Sequence, residues 1–546
     1  MNTSQHSSPR PAPASAPASG RLSRARTWGT FGIACLLAVV PNIDLTALNL
    51  AIPHLVDDLH PSATQILWIA DAYGFALAGL LITMGGIGDR IGHKRLLLIG
   101  TAAFAAASFA TAYAGSAELL IAARVPLGVA GATLMPTSLS LIRRAFPEPK
   151  ERTMVIGAFT GVGALAVGLG PVLGGVVLDH FWWGSVFLIN VPIMAVACLA
   201  GAMVLPEARS PHPGRLDFVS VPLSVAGVLG VVYAVKEAAA HGVAHARIGA
   251  ATAVGVAGLV LFFWRQSRLA DPLIDIALFR RAAFSGSVGT NLFAMFALVA
   301  QSLIFSMYFQ QVLGWSPLRA GLAGLPGALG AMVGGAALAP PLIGALGRAR
   351  VVSIGLAASA VAFALYLPAG VRLNYLVLVG PMLLAGMGMG LALAVTADTV
   401  VASVPKRRTG AASAISETAT EFGAALGMAV LGSVLNAVYR GTVDVPAGLP
   451  AGAAHAVRDS LGAALRVAAG LPSGHLAEQV AHSARLAFVD GMHAALLCSA
   501  VLAALVAPAA LRALRRVPKV IADDTEVEAV HGDGPPAAKV THRQHP

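Results

Sequence analysis

Gly85-Gly86-Ile87-Gly88-Asp89-Arg90-Ile91-Gly92-His93-Lys94-Arg95 is a short, charged, glycine-rich stretch between two apolar runs, 65–84 and 96–114. The glycines permit a tight turn with close backbone approach, and the charges fall where two helix ends would meet. Each flanking run approaches the ~20 apolar residues that span a ~30 Å hydrocarbon core. The stretch therefore reads as a loop joining two membrane helices.

The rest of the chain extends that reading. Of its 546 residues 56% are hydrophobic and only 12% charged, and the mean hydropathy is +0.75. A soluble protein would carry about 25% charge. Too little charge is present to cover a water-facing surface, which excludes an ordinary cytosolic enzyme. Span-length apolar runs lie near 28–53, 65–84, 96–114, 117–142, 154–178, 185–205, 217–235, 247–265, 283–311, 317–343, 351–369, 374–402, 411–436 and 488–511, fourteen in all. With the N-terminus inside, the cytoplasmic segments hold 28 of the 37 Lys and Arg. That bias obeys the positive-inside rule, so the formal charge of +11 reflects topology and requires no nucleic acid. Trp28, Trp68, Trp182, Trp183, Trp264 and Trp315 fall near expected helix ends, where amphipathic rings prefer the interface. Cys35, Cys198 and Cys498 are scattered through apolar runs, a pattern that makes neither a disulfide framework nor a zinc site. Gly161-Val-Gly163 imitates a dinucleotide turn but sits inside a span, and the chain has no phosphate-binding P-loop sequence.

The spacing G-x3-D-R-x-G-x-K-R of residues 85–95 resembles the loop signature of the major facilitator superfamily. Asp44-Leu-Thr46-Ala-Leu-Asn49-Leu-Ala51-Ile-Pro53 in the first span is similar to the first-helix motif of its fourteen-helix drug:proton antiporters. Arg124-Val-Pro-Leu-Gly128-Val-Ala-Gly131 in the fourth resembles the buried-arginine motif, with Leu127 where a Gln is usual. Gly157 and Gly170-Pro171-Val-Leu-Gly174-Gly175 in the fifth resemble the antiporter motif, with Ala166 replacing its middle glycine. Small residues and a proline also serve plain helix packing in lipid. In the second half, Gly344, Gly347, Arg348 and Arg350 look like a worn copy of the loop motif without its Asp.

Charged side chains inside spans cost about 2.5–3.5 kcal/mol each on insertion scales, so they mark pathways or relays. Asp44, Asp71, Arg124, Asp398, Glu417 and Glu421 are such residues. Glu417 and Glu421 share one face of their helix, one turn apart. Together with Asp71 and the long loop before the last span, they resemble the quaternary-ammonium and multidrug efflux subgroup.

The expected fold is an all-α major facilitator transporter with fourteen transmembrane helices: two six-helix bundles plus two inserted helices. Its parts would be a disordered cytoplasmic arm (1–27), an N-terminal bundle (28–205), inserted helices seven and eight (206–282), a C-terminal bundle (283–511) with an external loop (437–487), and a cytoplasmic tail (512–546). The resemblance implies proton-coupled export of lipophilic cations by alternating access in a bacterial inner membrane, both termini cytoplasmic. Asp44, Glu417, Glu421 and Arg124 would couple protons, while Asp71, Asp44, Glu417 and Glu421 would meet substrate. Asp89, Arg90, Gly85, Gly92, Gly170 and Pro171 would gate. The expected partners are lipophilic cations, protons and the bilayer, with no cofactor, metal or nucleic acid, and the chain acting as a monomer. A dedicated exporter of one endogenous antibiotic or metabolite, or a transporter-fold sensor, would share these features.

Overall fold

Ser23 starts the folded chain: its hydroxyl accepts from the Arg26 amide and caps α1 (Arg24–Leu59). The computed structural model describes residues 23–206, 217, 219–241, 245–269, 272–372, 374–405, 408–472 and 474–519. The expected arm before residue 23, and the tail beyond residue 519, lie outside the described residues. α1 thus begins just inside the segment expected as arm, because a serine cap and Trp28 packed on Phe31 and Phe146 already support a helix there.

Next come α2 (Ala63–Ile91), α3 (His93–Ala112), α4 (Ala117–Ala145), α5 (Pro149–His180), the short α6 (Ser185–Leu188) and α7 (Asn190–Val204). A Ser62/Gln65 capping box opens α2, and Ser116 caps α4. The α2–α3 junction turns on Gly92 (φ 102°) and the α13–α14 junction on Gly347 (φ 83°), a region of φ that favours glycine. The worn second copy of the loop therefore keeps the turn of the first. α8 (Ser220–His241) and α9 (Ala246–Gln266) form a hairpin. Then follow α10 (Ala282–Met307), α11 (Pro317–Ala323), α12 (Leu325–Met332), α13 (Ala339–Leu346), α14 (Arg348–Ala364), α15 (Leu376–Ala402) and α16 (Thr409–Thr442). α17 (Ala451–Asp459), α18 (Leu461–Gly470) and α19 (His475–Leu514) close the described chain. π-helical turns at Tyr308–Val312 and Val333–Leu338 extend α10 and join α12 to α13. Among the described residues, eleven helical runs are long and apolar enough to cross a membrane.

The helices before α8 pack chiefly on one another, α2 on α4, α1 on α5, and α3 on α4 and α7. So do those after α9, α10 on α16, and α14 on α15 and α19. The two sets meet along two seams, α2 and α4 against α16, and α5 against α11, α12, α13 and α15. Glycines set the distance across both. A Cβ on Gly157 would run into the Gly335 carbonyl, and one on Gly85 into the Gly410 carbonyl. Arg90, Arg143, Arg152, Arg348 and Arg408 lie at helix ends on the side where α2, α4 and α15 finish and α5, α14 and α16 begin, the basic face.

The segment 437–487, expected as an external loop, is largely helical. Ser460 separates α17 from α18 and its side chain caps α18. Its last part is the start of α19, which continues for 40 residues without interruption. Val457, Leu461 and Ala464 are buried with Val480 and Ala484 of α19, and the Tyr439 hydroxyl donates to the Val457 carbonyl at 2.8 Å. The loop is a docked cap, because its apolar residues repeat at helical spacing and need a face to cover.

Candidate functional site

In the N-terminal half a fully buried Arg124 on α4 donates through Nη1 to Asp44 Oδ2 on α1 at 2.7 Å and through Nε to the Ile69 carbonyl at 3.2 Å. Asn190 on α7 donates to the other Asp44 oxygen at 3.1 Å and lies 3.4 Å from Ser108. The guanidinium stacks over Tyr73, with Phe187 beyond. Arg124 Nη2 and the Tyr73 hydroxyl are both buried without a hydrogen-bond partner. Gly128 and Gly131 make this possible: a side chain at either position would collide with Tyr73 or its neighbours. Leu127, where the motif usually has Gln, is wholly buried in the apolar core. The polar network is completed instead by Asn190, from another helix.

In the other half, Glu417 and Glu421 are half-buried on α16, the helix that packs on α2 and α4. Beside Glu417, Ser416 accepts from Asn291 of α10 at 2.8 Å, and Thr396 of α15 donates to the Asn291 carbonyl oxygen. Tyr73 lies within electrostatic reach of Asp44 and Arg124 on its own side and of Glu421 across the seam. Asp71 is half-buried one half-turn from Tyr73 on α2. Asp44, Arg124 and Tyr73 thus stand on one side of the seam, and Glu417 and Glu421 on the other, on the helix that packs on α2 and α4.

On the basic face, Asp89 accepts from the amides of Gly410 and Ala411 at 2.9 and 2.8 Å, at the first turn of α16. A carboxylate there satisfies orphan amides and complements the helix dipole. Gly85 permits the approach, and Gly92 supplies the turn that follows. Arg90 donates to Gly86 on its own helix at 2.9 Å, and buried His93 places Nε2 3.1 Å from Asp89. Arg143 on α4 donates to Thr409 at 2.8 Å. Gly170 is buried in α5, whose helix continues through Pro171.

The second seam carries an ion cluster. Asp398 on α15, wholly buried, receives Arg152 Nε of α5 and Arg348 Nη2 of α14, both at 2.7 Å, and Thr153 at 2.9 Å. Arg348 also reaches Thr399 at 2.9 Å, and Lys519 donates to the carbonyls of Gly344 and Ala345 beside it. Just before α8 begins, Asp217 pairs with Arg265 near the end of α9, through Nε at 2.5 Å and Nη2 at 2.8 Å. Arg265 holds the Asp217 carboxyl well below the usual aspartate range, with Ser220 and the Val219 amide adding to the effect.

Residues 34–428 match the family model described as Major Facilitator Superfamily, well over half of the chain. The chain belongs to the major facilitator superfamily. It is a transporter and not an enzyme. Its major facilitator relatives include the "Multidrug efflux pump LfrA" of Mycolicibacterium smegmatis, 43% identical over 86% of this chain and 92% of that one. Another is the "Methyl viologen resistance protein SmvA" of Salmonella typhimurium, 34% identical over 85% and 93%. Among solved structures, the human organic anion transporter MFSD10 (TETRAN) superposes with a TM-score of 0.59 at 14% identity, covering 89% of this chain and 99% of that one. At that identity the likeness is one of fold.

Sequence reasoning named the major facilitator motif residues but missed their partners. Asn190, Tyr73 and Arg152 carry no motif of their own. Arg152 could have been suspected as a basic residue directed into a span beside Asp398. Arg348 had a signal, because it follows the glycine of the worn loop copy.

Proposed function

We propose that the chain exports lipophilic cations in exchange for protons, by alternating access across a bacterial cell membrane. The observation that carries this is the placement of acids on both sides of one seam, Asp44 paired with Arg124 in the first half and Glu417 with Glu421 on α16, the helix that packs on α2 and α4. Similarity to efflux pumps over most of both chains supports the same reading. Fourteen spans follow if α5, α8 and α14 are counted with the eleven and α6 with α7. The basic face would then lie in the cytoplasm with both termini, α1–α7 and α10–α19 would be the two bundles, and α8–α9 the inserted pair in a monomeric unit. Asp44, Glu417 and Glu421 would carry protons, Arg124 would hold Asp44 ready, and Asp71 with the α16 acids would attract the cation. Asp89 and the glycines Gly85, Gly92 and Gly170 would serve the gates, with Arg90 and Pro171 beside them.

Exchange of one proton for one monovalent cation moves no net charge and is driven by about 1.4 kcal/mol per pH unit. A second proton adds about 2.3 kcal/mol per 100 mV. Two or more proton-carrying acids fit the second case. The test is flux of ethidium in proteoliposomes under an imposed pH gradient, with a pH dye read alongside. The expected result is cation movement against proton flow, abolished by Glu421→Gln or Asp44→Asn and sensitive to membrane potential. Cation flux that ignores the pH gradient would overturn proton coupling, and an electroneutral cycle would overturn the second proton.

A further inference from the structure

α19 leaves the bundle at the basic face in a run of arginines. Ala503, Ala507, Ala510 and Leu514 are buried along one side of the helix, and Leu514 packs with Ala513 on Gly286 of α10. The opposite side carries Val501 and Leu505, 58% and 65% exposed. At helical spacing that side continues through exposed Pro508 and Ala509 to exposed Arg512 and Arg516, with Arg515 beside them. The apolar part of the stripe faces lipid, so the guanidiniums stand where acyl chains give way to headgroups.

Among the described residues, none of these three arginines has a hydrogen bond or an ion pair. Elsewhere on the basic face arginines are taken up, Arg143 by Thr409, Arg152 and Arg348 by Asp398, and Arg408 by Asp275. From Gly491 to Lys519 the chain holds no acid, and α10 and α14, which pack on α19, hold none either. Arg280 just ahead of α10 and Arg350 in the first turn of α14 are also exposed and unpaired, so three elements bring positive charge to one corner. Topology alone asks only for charge somewhere in the segment; here it is stacked one turn apart beneath a lipid-facing stripe. The anions found at that depth of a membrane are phospholipid phosphates.

We propose that this corner binds an anionic phospholipid of the basic-face leaflet, its phosphate held by Arg512, Arg515 and Arg516 and its acyl chains laid along Leu505 and Val501. The bound lipid supplies the counter-charge that the corner lacks and ties the end of α19 to the membrane surface. The rival occupant is the chain's own acidic run, Asp523, Asp524, Glu526 and Glu528. Lipid is favoured because Arg512 and Arg516 face outward, whereas Lys519 leads the chain inward onto the carbonyls of Gly344 and Ala345.

The experiment titrates the full chain in detergent with phosphatidylglycerol or phosphatidylcholine and counts bound lipid by native mass spectrometry. One arginine at an anionic surface gives about a fivefold preference, so three give about a hundredfold. Wild type takes up phosphatidylglycerol in preference, and Arg512→Gln/Arg515→Gln/Arg516→Gln lowers that preference about tenfold or more. Arg24→Gln/Arg95→Gln/Lys150→Gln removes three exposed cations from the other half and leaves it unchanged. In the unaltered protein, hydrogen exchange at residues 509–516 is slower in phosphatidylglycerol nanodiscs than in phosphatidylcholine nanodiscs. An arginine variant that keeps the preference, a control that loses as much, or exchange equal in both nanodiscs would each overturn the lipid site. Uptake that appears only after deletion of residues 520–546 would also overturn it, and would give the arginines to the chain's own acids. None of these readings involves transport, so they stand apart from the efflux reading.

Discussion

Asp44 and Arg124 are both fully buried, and each is the other's charge partner. Removing one member of such a pair leaves an uncompensated charge and costs about 3–5 kcal/mol. Asp44→Asn should therefore lower the thermal stability of the detergent-solubilised protein by several degrees, read by fluorescence-detected size exclusion. Asn190→Ala removes only one hydrogen bond to the pair, worth about 1 kcal/mol, and should lower it measurably less. Equal losses would mean that Asn190, not Arg124, is the main support of the carboxylate. The Asp44 and Arg124 positions were legible in the sequence because a charge inside an apolar run stands out. Their unsatisfied neighbour, the Tyr73 hydroxyl, was not, since a tyrosine in a span usually signals an interface and its burial depends on glycines of another helix.

α16 is held at its first turn by Asp89, and α5 by Asp398, so each seam has its own fastening on the basic face. The first is a carboxylate on backbone amides, an interaction of about 0.3–1 kcal/mol when exposed and up to ~2 when partly buried. Asp89→Asn should speed hydrogen exchange at residues 409–413 while leaving the start of α5 unchanged. Arg152→Ala should do the reverse, because Arg348 keeps Asp398 paired within its own half. Exchange rising at both places in either variant would show one cooperative gate instead of two fastenings. The first was readable in advance because residues 85–95 hold the whole acidic arm in one motif. The second was not: Arg152 and Asp398 are 246 residues apart and meet only when two helices cross. The docking of α17 and α18 on α19 was hidden for the same reason.

For the molecule as a whole, the α8–α9 hairpin is closed at its foot by the pair Asp217–Arg265. A carboxyl held below its ordinary value stabilises the folded state above the unfolded aspartate pKa of about 3.9, and that contribution fades only as pH falls through the lower folded value. Hydrogen exchange at residues 220–224, corrected for intrinsic rate, should accordingly stay flat between pH 5 and 8. Asp217→Asn should exchange faster at every pH in that window. A rise in the wild type between pH 8 and 5 would place the anchor on some other group. Hydropathy and apolar run length made a multi-helix membrane protein legible early, because they are summed over whole segments. They could not say on which seam the hairpin would settle, since that depends on Val228, Leu229 and Val232 matching a groove shared by two helices.

α19 runs 40 residues from the docked cap through the bundle to the basic face, about 60 Å of unbroken helix. It is in effect a pushrod: its projecting end is gripped by α17 and α18, and its other end stops beside Lys519 on Arg348 and the α13 carbonyls. A protein binder clasping the cap would hold the C-terminal half by its longest lever arm and could arrest its rocking without entering the transport path. The same clasp would give imaging an asymmetric handle on a particle otherwise hidden in detergent.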